Sequence, residues 1–404
     1  MSPLRLFRFQ VGRPQQLAGL LLLIFLAECL WVVGKQQLSP ADYRFARCGR
    51  EMWERPSPLA GYFTTCGNLH GDGTFAYRAA GLPLTLQRLA LLSADKLRKP
   101  ENRLYAGGSL NGSTWEARHE LGAVKYLLHL PFVLFALWLG AGLWWVSRRL
   151  FGNEGGFLSL GLYCFCPDVV RYAVVPNNDV LAMWGLFGLV YTAIGVAHAM
   201  HGPRRRWRPR ILLLNMALGL TANAHLLAAM VGFLAAAVLM FYLVERRRSY
   251  LSQILIFSAM GGLLVVFSSY AFRLQPFTYV FTGGAGRFWV SLQPAKAFFL
   301  HVFNGPIVVA ALVSVVLWVG VRRSRYFGNT VPLLIAAILF PLTTTQTVTA
   351  PWLWAIPFLL TFVGGVFADA LETRHRRLFL GLAGGVLLTQ ALVCLAALPA
   401  IARM

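Results

Sequence analysis

Acidic side chains are scarce in this chain, and charge of either sign is thin. Asp and Glu number 15 against 37 Lys and Arg in 404 residues, and charged residues make up 13% of the whole. A soluble domain carries about 25%, so the composition excludes a fold whose surface faces only water. Six cysteines form no CxxC pair and no Cys/His cluster at metal-ligand spacing, which removes the usual cysteine-built metal and redox motifs. Cys29, Cys164, Cys166 and Cys394 fall in or beside apolar runs, where a thiol behaves as a small hydrophobe. There is no internal repeat of roughly 20 to 50 residues and no low-complexity segment, which leaves out solenoids.

What the chain has in abundance is apolar sequence, 57% of its residues. Leu17–Val33, Leu127–Val146, Val180–Ala199, Ile307–Val321 and Leu378–Leu398 are almost free of charge. Each approaches the ~20 residues that an α-helix, rising ~1.5 Å per residue, needs to cross a ~30 Å hydrocarbon layer. Arg5, Arg8 and Arg13 precede the first run, but no small-x-small cleavage site follows it, so it reads as a retained first helix.

The formal charge of +22 would suggest nucleic acid in a soluble protein, yet most of it sits in short clusters between apolar runs. These are Arg148 and Arg149; Arg204–Arg206 with Arg208 and Arg210; Arg246–Arg248; Arg322, Arg323 and Arg325; and Arg374, Arg376 and Arg377. Placing every cluster and the N-terminus in the cytoplasm satisfies the positive-inside rule and predicts about eleven crossings. The expectation is an all-α polytopic integral membrane protein of the bacterial inner (plasma) membrane, with no nucleic-acid partner. One transmembrane domain then fills 1–404, with outside loops at 34–125 and 272–297 and no soluble C-terminal domain. The apolar stretch between Arg210 and Glu245 is too long for one helix and is read as a hairpin joined near Asn223 and His225.

The first outside loop carries two amphipathic patterns. After Ser39 and Pro40, the apolar residues Phe45, Ala46, Gly49, Met52 and Trp53 recur at helical spacing, with Arg44, Arg47, Arg50, Glu51 and Glu54 opposite. Gly81 and Pro83 open a second helix, with Leu82, Leu86, Leu89 and Leu97 on one side and basic residues on the other. Both are expected to lie beside the bilayer. Cys48 and Cys66 fall in this loop, where a disulfide between them and two free thiols are both compatible with the sequence.

An ordered set of short motifs then resembles the GT-C glycosyltransferases, the multispanning family of protein O-mannosyltransferases and lipid A aminoarabinose transferases. The set comprises His129-Leu130-Pro131-Phe132, Ser147-Arg148-Arg149-Leu150-Phe151-Gly152, Pro176-Asn177-Asn178-Asp179 and Leu218-Gly219-Leu220 before a polar break. The resemblance covers about half the chain. It implies an enzyme that moves a sugar from a polyprenyl phosphate or pyrophosphate carrier to an acceptor outside, with inversion at the sugar carbon. Such chemistry needs a carboxylate base and cations for the leaving phosphate. The chain departs from the pattern at three places. Asp42 is followed by Tyr43 rather than a second acid, Asn223-Ala224-His225 replaces a Thr-Lys, and Thr349-Ala350 replaces an Arg-Tyr.

Asp42 is the candidate base, although Ser39-Pro40-Ala41-Asp42 is also a capping box. Asp179 is the second candidate carboxylate, supporting the acceptor or a divalent metal; the alternative is N-capping of the helix by Asn177 and Asn178, with Asp179 favoured there by the helix dipole. Candidate phosphate contacts are Arg44, Arg171, His225, Arg287 and Lys296, the last two following the Gly283-Gly284-Ala285-Gly286 turn. Their alternatives are a headgroup anchor, a hydrogen-bonded histidine and a glycine turn. Trp289, Trp352 and Trp354 read as interfacial belt residues. A glycosyltransferase ranks first and a catalytically silent subunit on the same fold second. A transporter ranks last, since no pseudo-repeat and no charge near a helix midpoint stands out. The sequence names neither cofactor nor protein partner.

Overall fold

The fold comes from a computed structural model that describes residues 12–54, 73–93, 124–202, 204–244, 248–270, 288–320, 326–344 and 350–403, with Phe272, Leu274, Phe277 and Thr278. Helices dominate it. In chain order they are α1 (Arg13–Lys35), α2 (Pro40–Glu54), α3 (Phe75–Ser93), α4 (Lys125–Cys164), α5 (Pro167–Ala173), α6 (Asn178–Met200) and α7 (Arg204–Ala224). There follow α8 (Leu226–Leu243), α9 (Arg248–Ser269), α10 (Gln293–Phe299), α11 (Gly305–Gly320), α12 (Tyr326–Leu339), α13 (Ile356–Leu371) and α14 (Arg376–Ile401).

Eight helices among the described residues are long and apolar enough to cross a membrane. One of them, α4, runs for 40 residues and is two crossings in disguise. Gly152 inside it has φ 87° and ψ −175°, a conformation open essentially to glycine alone. The chain reverses there: a Cβ on Gly156 would meet the Arg148 backbone, and the Tyr163 hydroxyl donates to the Ala136 carbonyl at 2.7 Å. With α4 divided, the described residues hold nine such spans, and α7 and α12 are shorter or more polar helices that would bring the number to the expected eleven. The hairpin joint falls at His225 as expected, between α7 and α8.

α13 is buried along its whole apolar window and α6 along most of its own, while α14 and α11 show most of theirs. The centre of the bundle is therefore α13 with α6 and α4, and the exposed leucines of the outer helices, such as Leu378, Leu388 and Leu392, face lipid.

The two loop helices pack closely on each other. Gly49 of α2 and Gly81 of α3 touch backbone to backbone, so a Cβ at either would overlap the other helix. Phe45 stacks on Tyr77 at 4.5 Å beside this crossing. The packing corrects the expected boundary: α3 starts at Phe75, with Pro83 inside it, because Ala76, Tyr77 and Ala80 are buried a turn or more earlier. It also buries Arg50 and Glu51, expected on a polar face; Arg50 is fully enclosed and grips Glu54 at 2.7 Å.

Two three-residue strands were not legible in the helical pattern. β1 (Phe288–Val290) pairs antiparallel with β2 (Leu342–Thr344), Trp289 opposite Thr343. β2 of this clasp packs against a short 3-10 helix, Pro351–Ala355, that leads into α13.

Candidate functional site

One end of the bundle gathers the polar residues. There α1 ends and α4 begins, tied by the Lys125 ammonium donating to the Gly34 carbonyl at 2.8 Å. A cavity of about 290 Å³ opens at this end, lined among others by Gln36, Ser39, Arg44, Arg171, Tyr172 and Asp179. Arg44 comes from α2 and Arg171 from α5, both exposed, each lying over its neighbouring ring, Phe45 at 6.0 Å and Tyr172 at 5.8 Å. Burial, reinforced by the Asp179 charge, pushes the Tyr172 phenol up to about 12, so it keeps its proton and remains a donor beside the cavity.

Asp42 forms the capping box: the Ser39 N–H donates to its Oδ2 at 2.6 Å, and its own N–H donates to the Ser39 hydroxyl oxygen at 3.3 Å. The Ser39 hydroxyl also donates to Oδ2, at 2.9 Å. Among the described residues Oδ1 has no hydrogen-bond partner, and it lies 3.7 Å from the equally unpartnered Nε2 of His129. The Asp42 side chain is buried, so it stands behind the cavity wall while Ser39 and Ala41 face the cavity.

Asp179 does line the cavity, but it does not cap its helix. Asn177 does that, accepting from the Val180 N–H at 2.9 Å and pinned by its own amide to the Tyr172 and Val175 carbonyls. The Asp179 carboxylate instead accepts from the Ala350 N–H at 3.0 Å and from Trp354 Nε1 at 3.2 Å. Trp354 is thus fully buried rather than a belt residue, and Trp352 packs edge-on to Tyr172 at 5.9 Å.

His225 lies outside the cavity lining, packed 5.0 Å from the Trp354 ring, and burial pushes its imidazole down to about 4. It is neutral at pH 7 and supplies no cation. Lys296 is exposed on α10 and does not line the cavity. Arg287 and Cys66 lie outside the described residues, while Cys48 is buried and disulfide-bonded. No group of three or more His, Cys, Asp or Glu is placed to hold a metal ion among the described residues.

Neither a family model nor a curated protein matches the sequence. A solved structure does: the crystal structure of ArnT from Cupriavidus metallidurans in the apo state superposes with a TM-score of 0.61 at 15% identity. The fold is ArnT-like. The match covers 95% of this chain and 64% of the ArnT chain, so this chain spans less than two-thirds of that protein's length. At such identity the likeness to ArnT concerns fold, and the site has to be argued from its own residues.

Within the ArnT-like frame, sequence reasoning passed over two residues. His129 was visible in the His-Leu-Pro motif, one turn into an apolar helix that begins at the same end as Asp42. Glu28, in the body of α1, is buried with both carboxyl oxygens lacking a hydrogen-bond partner. It is the charge near a helix midpoint that composition had hidden.

Proposed function

We propose that this chain is a membrane glycosyltransferase that moves a sugar from a polyprenyl-phosphate-type lipid carrier to an extracytoplasmic acceptor by inverting displacement. The observation that carries the reading is the cavity at one end of an ArnT-like bundle, lined by two guanidiniums and the buried Asp179, with the buried Asp42 directly behind its wall. Arg44 and Arg171 are the cations available to a leaving phosphate, since guanidiniums match phosphate oxygens bidentately. Asp42 is the base. Its Oδ1 has no donor, whereas both oxygens of Asp179 already accept from Ala350 and Trp354, which makes Asp179 the residue that shapes the wall.

Asp42→Asn keeps the volume and an acceptor for the Ser39 N–H, so the cap and the insertion of the protein should survive. Removing a general base typically costs about 10²- to 10⁴-fold in rate. Transfer from a radiolabelled polyprenyl-linked sugar by purified protein in liposomes should therefore collapse while thermal stability holds. Full transfer by the variant would move the base elsewhere.

A catalytically silent subunit is the second reading, and a specific observation favours it. The positions that depart from the family pattern supply no cation here: His225 is neutral, and Ala350 offers only its backbone N–H. Absence of transfer by the wild-type protein with every donor offered would select it.

A further inference from the structure

Behind the cavity wall a line of polar groups runs inward from Ser39. Its hydroxyl donates to Asp42 Oδ2 at 2.9 Å; Asp42 Oδ1 faces His129 Nε2 at 3.7 Å; and His129 Nδ1 lies 2.5 Å from the Val174 carbonyl. A carbonyl oxygen only accepts, so Nδ1 must carry the ring proton and Nε2 holds a lone pair when the ring is neutral. A carboxylate oxygen and an imidazole lone pair then face each other with no donor between them. Such an arrangement, buried on both sides, is satisfied by one added proton. Lys125, one turn before His129 on α4, is the other charged group acting on the ring, and its ammonium is turned to the Gly34 carbonyl.

We propose that Ser39, Asp42 and His129 form a proton path that carries the acceptor's proton from the cavity to the buried imidazole. The inference rests on the glycosyltransferase reading. It also explains how a base shut off from the cavity can serve a substrate inside it. As the acceptor atom bonds to the sugar carbon, the bond from that carbon to the phosphate oxygen breaks and its electron pair leaves with the phosphate. The acceptor's proton passes to the Ser39 oxygen while the Ser39 proton moves to Asp42 Oδ2. A turn of the carboxyl about its soft terminal torsion presents that proton to Nε2. The step ends with serine restored, Asp42 ionised and His129 an imidazolium beside it. His129 touches no substrate; it is a positioning residue that holds the proton through Asp42.

Two measurements test the path. In nanodiscs with ¹⁵N-labelled histidine, the His129 resonance, assigned by its loss in His129→Asn, should titrate at lower pH in Asp42→Asn than in wild type, because the neighbouring anion is gone. Identical titrations overturn the proposal whatever the enzyme does. In transfer assays, His129→Asn keeps an amide donor for Val174 but loses Nε2, so kcat should fall about 10²-fold with donor KM nearly unchanged. Ser39→Ala should fall likewise and Ser39→Thr, which keeps the hydroxyl, should recover most of the rate. This serine pair decides the matter if His129→Asn fails to fold. Wild-type rates in His129→Asn, or equal rates in the two serine variants, overturn it. Wild-type protein that transfers no sugar yet shows the Asp42-dependent titration would end the glycosyltransferase reading and leave the Asp42–His129 pair standing.

Discussion

At the scale of single residues, the two carboxylates that the sequence made look alike turn out to have different surroundings. Asp42 has one oxygen held by its helix cap and one aimed at a histidine, whereas Asp179 is saturated by donors from a segment 171 and 175 residues away. Asp179→Asn is therefore not silent, as it would be at a simple cap. An amide has one acceptor and places its NH₂ against either the Ala350 N–H or the Trp354 Nε1–H. A buried donor left unsatisfied costs about 1–3 kcal/mol, so the apparent unfolding temperature in detergent should drop. An unchanged midpoint would mean that Asp179 does not hold the 3-10 turn. His225 adds a pH signature. Its folded value of about 4 lies below the ordinary 6.5, so the unfolded chain binds the proton first. Its contribution to stability is full above about pH 6.5 and declines as pH falls toward the folded value. His225→Phe should flatten the stability profile over that window in thermal melts.

At the scale of elements, two glycines show different reasons for the same residue. Gly152 has space around it, since a Cβ would come no closer than 3.6 Å to a Glu154 oxygen, but its backbone angles exclude side chains. Gly49 is the reverse: what excludes a side chain is the backbone of α3 across the crossing. Gly152→Ala should cost about 1–3 kcal/mol of conformational strain without touching neighbours. Gly49→Leu should push α2 off α3 and disturb the cavity wall that α2 supplies. Thermal melts with transfer assays separate the two: Gly152→Ala should lose stability with its rate kept, and Gly49→Leu should lose both. The clasp of β1 and β2 belongs to this scale too, since β2 packs on the 3-10 helix that carries Trp354 to Asp179.

At the scale of the whole molecule, the basic clusters predict an orientation that the bundle itself does not. The positive-inside rule predicts that Arg206, in the cluster that opens α7, lies in the cytoplasm and that Lys296, exposed on α10, lies outside. Arg206→Cys should resist a membrane-impermeant thiol reagent in intact cells and Lys296→Cys should react. The free cysteines among the described residues are all buried, which keeps the background low. Labelling at position 206 would invert the topology and, with it, the side on which the cavity opens.

Apolar run length determined the class of the protein and the joint at His225, because the bilayer imposes a fixed thickness on any sequence that crosses it. The capping box was legible for a similar reason, its partners standing three residues apart. The rest required the fold. That Ala350 and Trp354 occupy Asp179, that Trp354 is core rather than belt, that Arg50 is enclosed, and that Asp42 meets His129 all depend on partners brought in from distant segments or on helix packing. Periodicity tells which side of a helix is apolar, but not which other helix will cover it. Composition hid Glu28 in the same way: one carboxyl in a long apolar run reads as noise until tertiary packing shows it buried with no hydrogen-bond partner among the described residues.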